Sequence, residues 1–407
     1  MNNKIKLAVA AAVLASASVA NAGIIIPAGE WTVDINGNVN AYAIMADNDD
    51  TVTTVGSMTN SKGTDSDAAS INTGLLPSWF GVTATTRQND LDVSWTISTQ
   101  PGASSGTALS GGGGEEARQA FLTFGDKSWG TIKVGKDLGL FGSTAILNDM
   151  TLLGVGSQGV VGSQGGTTTT LGRIGTGYIY ADWNGQITYT TPNMNGFQAS
   201  VGVFQPWNTV NAGTSTLSAV SSGSQDEFGY QGQASYSFAG DVSGKVWAGF
   251  FSQSVQNLDG DVTANAEGDA DAVEAGVTVS MGNASIVAYA YSGEGIGTTA
   301  MLRDGFDAAG KERDSDGGYV QATYVVPTGT KLGISYGESS LDETVDDIGQ
   351  SHDIVSKNEM FTVGAYHPLT KHLNLVAEYS KVESHSSKIA TAATESDIMS
   401  VGAILFF

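Results

Sequence analysis

Residues 154–159 read GVGSQG, and six residues on the chain nearly repeats itself as VVGSQGG, over 160–166. The first stretch fits G-x-G-x-x-G, the spacing with which a backbone closes on a pyrophosphate and offers it a helix N-terminus. That chemistry needs a helical pattern after the last glycine and an acidic residue roughly 20 positions on, for the ribose. Gly159 is followed instead by VVGSQGGTTTT, and the first acid comes only at Asp182, in a strand-like stretch. A nucleotide site is therefore not expected. Glycines also allow positive φ and close backbone approach to a neighbouring surface, and that is the role expected of Gly154, Gly156 and Gly159.

Other chemistry is thinly represented. The four histidines, His352, His367, His372 and His385, fall in loop-like or turn-like stretches. His367 and His372 are five apart across HPLTKH, which is neither a helical pair nor a metal-ligand spacing. With no nucleophile, base and orienting group in view, no enzyme is expected and no catalytic residue is assigned. There is no cysteine, so disulfides and thiolate metal sites are excluded. Acids cluster at Asp47, Asp49 and Asp50 and in DGDVTANAEGDAD (259–271). Their spacing is not that of an EF-hand, so they read as solvated loop charge; no metal and no cofactor is assigned.

The N-terminus carries Lys4 and Lys6, an apolar run from Leu7 to Val19, and the ending Ala20-Asn21-Ala22. This pattern is a secretory signal peptide, residues 1–22, cleaved after Ala22, with an apolar run too short to span a membrane as a helix. It leaves residues 23–407 as the mature chain. Formal net charge is −23, and loss of the two leader lysines makes it −25. Such acidity repels nucleic acid and favours cations. The 54 glycines point to strands and turns rather than helices, and no later stretch is apolar for 18 residues.

Strands are written in period-2 alternation. In WTVDINGNVNAYAIM, Val33, Ile35, Val39, Ala41, Ala43 and Met45 share one face, and Asp34, Asn36, Asn38 and Asn40 the other. In YVQATYVV, Val320, Ala322 and Tyr324 oppose Gln321 and Thr323; in LNLVAEY, Leu375 and Ala377 oppose Asn374 and Glu378. Seven short turns, QND (88–90), GDKSWG (125–130), PNMNG (192–196), AGDVSG (239–244), MGNA (281–284), PTGT (327–330) and HPLTKH (367–372), alternate with eight long polar stretches. The long stretches lie near 47–75, 100–116, 137–176, 205–225, 252–271, 292–317, 337–357 and 382–394. A meander of that kind has sixteen strands. The expected fold is all-β: a closed 16-stranded antiparallel transmembrane β-barrel with short turns at one end and long loops at the other.

At this point the chain resembles the general diffusion porins of Gram-negative outer membranes. SVGAILFF (400–407) is similar to their last strand, whose terminal Phe, here Phe407, is read by the assembly machinery. ARQAFLTFGDKSWGTIKVGKD (117–137) resembles their fourth and fifth strands, and NGQITYTTPNMNGFQASVGVF (184–204) their sixth, turn and seventh. NDMTLLGVG (148–156) resembles the segment of the third long loop that folds into the pore. The resemblance implies a constriction formed by Arg118, Arg173 and Lys136 facing Asp149, with Asn38 and Trp79 at two positions where the family carries basic residues. The loop's glutamate is missing, so the implied eyelet has weak transverse charge and an apolar loop face. It also implies a homotrimer in the cell outer membrane, in contact with lipid and lipopolysaccharide.

The function expected is passive diffusion of small hydrophilic solutes and ions through a water-filled channel, wetted by Asn36, Asn38, Asn40, Gln321, Thr323 and Asn374. The acidic balance predicts a modest cation preference that shrinks with salt. The alternatives are a substrate-selective channel, with Trp79, Trp183 and Tyr42 as candidate lumen aromatics, and a non-conducting structural or adhesive surface barrel.

Overall fold

The computed structural model describes residues 23–49, 54–59, 67–103, 114–158, 168–209, 218, 221, 224–258, 267–348, 353–388 and 393–407. The proposed leader, Gly159, His352 and the centres of several long loops lie outside the described residues.

The strands are β1 (Ile24–Ala28), β2 (Trp31–Asn48), β3 (Ala68–Asn72), β4 (Trp79–Gln88), β5 (Leu91–Pro101) and β6 (Glu115–Asp126). There follow β7 (Gly130–Leu138), β8 (Trp183–Thr190), β9 (Phe197–Phe204), β10 (Gly229–Phe238), β11 (Ser243–Gln256) and β12 (Glu267–Met281). The last are β13 (Ala284–Glu294), β14 (Asp314–Val325), β15 (Lys331–Leu341), β16 (Val355–Pro368), β17 (Leu373–Ser386) and β18 (Ala393–Phe406).

From β4 onward each strand pairs antiparallel with the next, and β18 returns to β2, closing a 16-stranded barrel. The two further segments are half-staves. β1 pairs with residues 31–35 of β2 on the side that β18 vacates below Asn38, and β3 pairs with residues 42–46 on the side that β4 vacates above it. Closure gives each of the sixteen barrel strands a partner on both sides, the condition for a sheet in lipid.

The seven short connections join the strands at the expected places. One of the two-residue turns, Asn89–Asp90, has both φ positive (48° and 62°), the twist that matches a two-residue hairpin. The alternation also holds. Val39 and Met45 stand 62 % exposed on the outer face, whereas Asn38 and Asn40, on either side of Val39, are buried. Outer positions elsewhere are apolar and exposed, among them Ile97, Leu122, Val273, Ile286, Val320 and Val401. These form the surface that meets lipid.

The inside differs from a plain water-filled tube. The apolar core lies within the barrel, between the inner wall and the segment joining β7 to β8, here called loop 3. Phe141, Ala145, Ile146, Ile174, Tyr178 and Ile179 of that loop pack against Phe204, Trp247, Phe251, Tyr289 and Tyr319 of the wall. Rings run in rows beneath it: Phe204–Phe251 at 5.3 Å, Trp247–Tyr289 at 6.4 Å and Tyr289–Tyr319 at 5.9 Å between centroids. Several polar residues expected to wet the lumen instead satisfy loop backbone that would otherwise be buried unpaired. Asn38 donates to Pro77 O (2.9 Å), Asn40 to Leu76 O (3.0 Å), and Gln321 accepts from Met150 N (2.6 Å).

Candidate functional site

Loop 3 leaves the wall at Leu138, turns at Gly142 (φ 76°), forms the short helix α1 (Ser143–Asn148), and continues as a 3-10 turn over Met150–Leu153. Asp149 breaks the two apart with extended backbone (φ −65°, ψ 130°). Its carboxylate caps the 3-10 turn, accepting from Thr151 N (3.0 Å) and Thr151 Oγ1 (2.6 Å), and also takes the Tyr178 hydroxyl (2.9 Å). Asp149 is thus an internal fastener, 4 % exposed, rather than a charge presented to the pore. Burial, reinforced by Asp149, pushes the Tyr178 phenol well above its ordinary range, so it stays a donor.

The glycine motif does cradle an anion, and the anion belongs to the protein. Val155 N and Gly156 N donate to the same oxygen of Glu378, on β17, at 2.7 and 2.9 Å. The other oxygen accepts from Tyr366 (2.5 Å). A Cβ at Gly154 would overlap the Glu378 carboxylate, and Gly156 has φ 56° with Gly172 backbone against it. Both glycines are therefore required by the approach. At the loop's other end Glu274, on β12, accepts from Gly142 N (2.9 Å), Gln233 Nε2 (3.0 Å) and Tyr289 OH (2.9 Å). Sequence reading missed both glutamates. Each sat in an alternating strand as one more inward polar residue, and its partners on loop 3 lie 132 to 223 positions away.

Arg173 is fully buried on the loop's return, with Nη1 donating to Met360 O (2.8 Å) on β16. Among the described residues it makes no ion pair, and Asp149 acts on it only at longer range. It pins loop to wall. Arg118 reaches the interior because of a bulge. Ser98 pairs with Gln119 and Gln100 with Glu116, so two residues of β6 oppose one of β5. That shift takes Arg118 off the outer face of Leu122 and Phe124 and buries it to 5 %. It pairs with Glu116 (2.8 Å), reaches Thr168 (3.1 Å) and Tyr180 (3.4 Å) of the loop, and lies 6.0 Å from the Trp183 ring. Burial is the main force pushing the Tyr180 phenol up to about 12.

Lys136 pairs in register with Ala120, on the outer face of Leu122 and Val134, and bonds Ala117 O (2.8 Å). The inward lysine of β7 is Lys133, bound to Asp137. Asn38 and Trp79 are register partners on β2 and β4, with Trp79 donating to Asn36 (3.3 Å). Phe407 seals the barrel seam through reciprocal bonds with Gly37 (2.9 and 3.0 Å).

The described part of loop 3 does not cover the whole wall. On β4 to β7 the inward residues Thr83, Ser94, Thr96, Phe121, Thr123 and Lys133 remain partly exposed. Their hydroxyls bond one another, Thr83–Thr96 at 2.9 Å and Ser94–Thr123 at 2.6 Å. This arc is a polar, wettable surface opposite an apolar wedge. On the outer face, Glu359, Glu383 and His385 bring potential ligand atoms within 4.8 Å of one another. Lys357 and Lys381 already bind those carboxylates (3.0 and 2.9 Å), so the group reads as a compensated charge network.

A family model described as Gram-negative porin matches residues 8–387. No match was found among curated proteins. Among solved structures the chain is similar to the outer membrane channel DcaP of Acinetobacter baumannii, at 16% identity, TM-score 0.67, with 94% of this chain and 99% of that one covered. It is similar to an anion-selective porin from Comamonas acidovorans, at 16% identity and TM-score 0.62, covering 93% and 100%. It also resembles OmpF of Salmonella typhi, solved with daunomycin, at 16% identity and TM-score 0.59, covering 94% and 100%. The barrel, its inward-folded third loop and the family match converge: the chain belongs to the Gram-negative porins and is an outer-membrane channel.

Proposed function

We propose that the protein conducts small hydrophilic solutes by passive diffusion along the hydroxyl-lined arc of β4 to β7, past loop 3. The observation that carries this reading is the contrast between that part-exposed Ser/Thr surface and the buried wall opposite. A polar wall lets water and solutes share hydrogen bonds, and the wedge sets the width. No cofactor and no catalytic step is part of this reading. The leader at residues 1–22 directs export, and the assembly is a homotrimer, as the family resemblance implies.

The aromatics suggested for a substrate-selective channel are engaged otherwise. Tyr42 donates to Leu153 O (2.6 Å), Trp183 to the Tyr180 hydroxyl (2.8 Å) and Trp79 to Asn36. None forms a free track, so the diffusion reading is preferred. The test is single-channel recording of purified protein in a planar bilayer. Stepwise ohmic conductance supports the reading, and silence from correctly folded barrels leaves the structural or adhesive alternative.

The cation preference expected from net charge stays part of this reading as a proposal. Glu274, Glu378 and Asp149 are occupied by loop donors. Much of the remaining acidity on strands stands on the outer face, as in the cross-strand row Glu338, Glu359, Glu383 and Glu395.

A further inference from the structure

We infer that hydrolysis of the Ala22–Gly23 bond completes the barrel seam, because the α-ammonium it frees at Gly23 docks on the Asp34 carboxylate of β2. The inference rests on the leader reading above and is independent of what the channel conducts.

The edge of β2 shows why a new chain end belongs at Gly23. β18 pairs along that edge from Asn48 to Asn38, and Phe407 takes the next place through its two bonds with Gly37 (2.9 and 3.0 Å). β1 occupies the lower part of the same edge, with Ile24 opposite Ile35 and Ala28 opposite Trp31. One place remains, opposite Asn36, and the ladder gives it to Gly23. The place after it, where residue 22 would pair, already belongs to Phe407. A leader therefore cannot continue in the sheet. The start of β1 and the end of β18 meet head to tail on one strand.

Asp34 supplies the anion at that meeting point. A Cβ added at Gly23 would lie 2.0 Å from Oδ1, 2.8 Å from Cγ and 3.1 Å from Oδ2 of Asp34. The carboxylate thus fills the space that a side chain at 23 would need. The α-nitrogen is bonded to the same carbon, so standard backbone geometry puts it within about 4.5 Å of Oδ1. Oδ1 is buried and accepts no hydrogen bond among the described residues. Nor does Asp34 form an ion pair with any described lysine, arginine or histidine. A buried acceptor without a donor is costly, and more so when it is charged.

Cleavage changes the neighbour of that oxygen. In the precursor the Gly23 nitrogen is an uncharged amide with one hydrogen. Water adds across the bond: Ala22 keeps the oxygen as a carboxylate, and Gly23 takes both protons as an ammonium. The other groups that face this end leave the ammonium to the carboxylates. Asp34 pairs across the sheet with Thr83 of β4, which is neutral, as is Asn36. Phe407, as the last residue, brings a second carboxylate to the neighbouring place. Glu30, in the turn after β1, is engaged by Gln88 (3.0 Å). Arg87, four residues along β4 from Thr83, is bound by Asp92 (2.9 Å) and Asp126 (3.0 Å). Cleavage thus supplies the charge that fixes the free end of β1 against the seam.

The test is the reactivity of that amine. Protein purified from outer membranes has its N-terminus defined by mass spectrometry. The folded barrel is then treated with an acylating reagent at neutral pH, and labelling of the peptide that begins at Gly23 is timed. Asp34→Asn is measured alongside. An ammonium held by a carboxylate gives up its proton less readily and reacts more slowly, by roughly tenfold for a close pair. The expected result is an N-terminus at Gly23, labelled about tenfold more slowly in wild type than in Asp34→Asn, with the gap narrowing in molar salt. Equal rates overturn the pairing and leave the leader reading standing. A gap that salt does not narrow marks steric cover rather than an ion pair and also overturns it. An N-terminus elsewhere overturns the leader reading and the inference together. If Asp34→Asn does not fold, wild type is compared with itself in denaturant, and an amine labelled no more slowly when folded overturns the inference. Conductance of the same preparation tests the channel reading separately.

Discussion

Tyr289 and Thr96 both point into the barrel, yet Tyr289 is 5 % exposed beneath loop 3 while Thr96 stays partly open to the lumen. The two represent two arcs of one wall. From β9 to β17 the inner face carries rings, glutamines and the two glutamates, and Gln231, Gln233, Gln321, Glu274 and Glu378 among them bond the loop. From β4 to β7 it carries small hydroxyls that bond sideways within the sheet and leave the lumen free. The difference teaches how a chain builds a channel inside a barrel. One arc supplies enough apolar area and charged acceptors to fix a long loop, and the other offers that loop nothing to hold.

The largest effect should come from cutting the fastener on the loaded arc. Glu378→Ala leaves the amides of Val155 and Gly156 and the Tyr366 hydroxyl without their acceptor in a buried place. At 1–3 kcal/mol for each of the three stranded donors, a loss of roughly 3–9 kcal/mol is expected. Bilayer recording should show larger, noisier conductance as loop 3 leaves the wall, and thermal unfolding should shift down. An unchanged conductance would mean the loop is held elsewhere.

A comparable effect is expected outside the membrane-spanning wall. Arg313 grips Asp347 through two bonds of 2.7 Å, tying the loop before β14 to the loop after β15. Arg313→Met strands a buried carboxylate, and about 3–5 kcal/mol of local stability should be lost. Burial would raise the Asp347 carboxyl, but hydrogen bonding and the charge of Arg313 outweigh it and hold it below the ordinary 3.8. A depressed folded value means that this stabilisation is complete above about 3.8 and is lost as pH falls through the lower folded value. Hydrogen exchange in 342–348 should therefore stay slow at neutral pH and quicken only well below pH 4, a transition absent from Arg313→Met.

A smaller effect is expected at the loop's internal cap. Asp149→Ala removes the acceptor of Thr151 N and of the Tyr178 hydroxyl, and about 1–2 kcal/mol is expected from the cap alone. The conductance should change little, because Glu274 and Glu378 still hold the loop at both ends.

Much of this architecture was legible in the sequence, for identifiable reasons. Alternation in stretches such as NVNAYAIM and the two classes of connection length are enough to specify sixteen strands and their faces. The close backbone approach expected of the GVG run is found at Gly154 and Gly156, whereas the bonds of Phe407 to Gly37 were not foreseen from its place at the chain end. What escaped reading was non-local. The bulge at 117–118 reverses the side on which Arg118 emerges, and nothing in ARQAF announces it. Lys133 and Lys136 in TIKVGKD differ in face by parity alone: the resemblance pointed to Lys136, and the register places Lys133 inside. Arg173 and Asp149 read as pore charges because their partners, a wall carbonyl and the loop's own turn, are made only on folding.

The most direct test of the two-arc account uses a chain that contains no cysteine of its own. Thr96→Cys and Gln321→Cys would be treated, in the bilayer, with a bulky water-soluble thiosulfonate while single-channel current is recorded. The account predicts that Thr96→Cys reacts quickly and its current drops, while Gln321→Cys, sealed against Met150 and Asn148, stays unchanged. Block at Gln321→Cys with none at Thr96→Cys would put the conducting path on the opposite arc and contradict it.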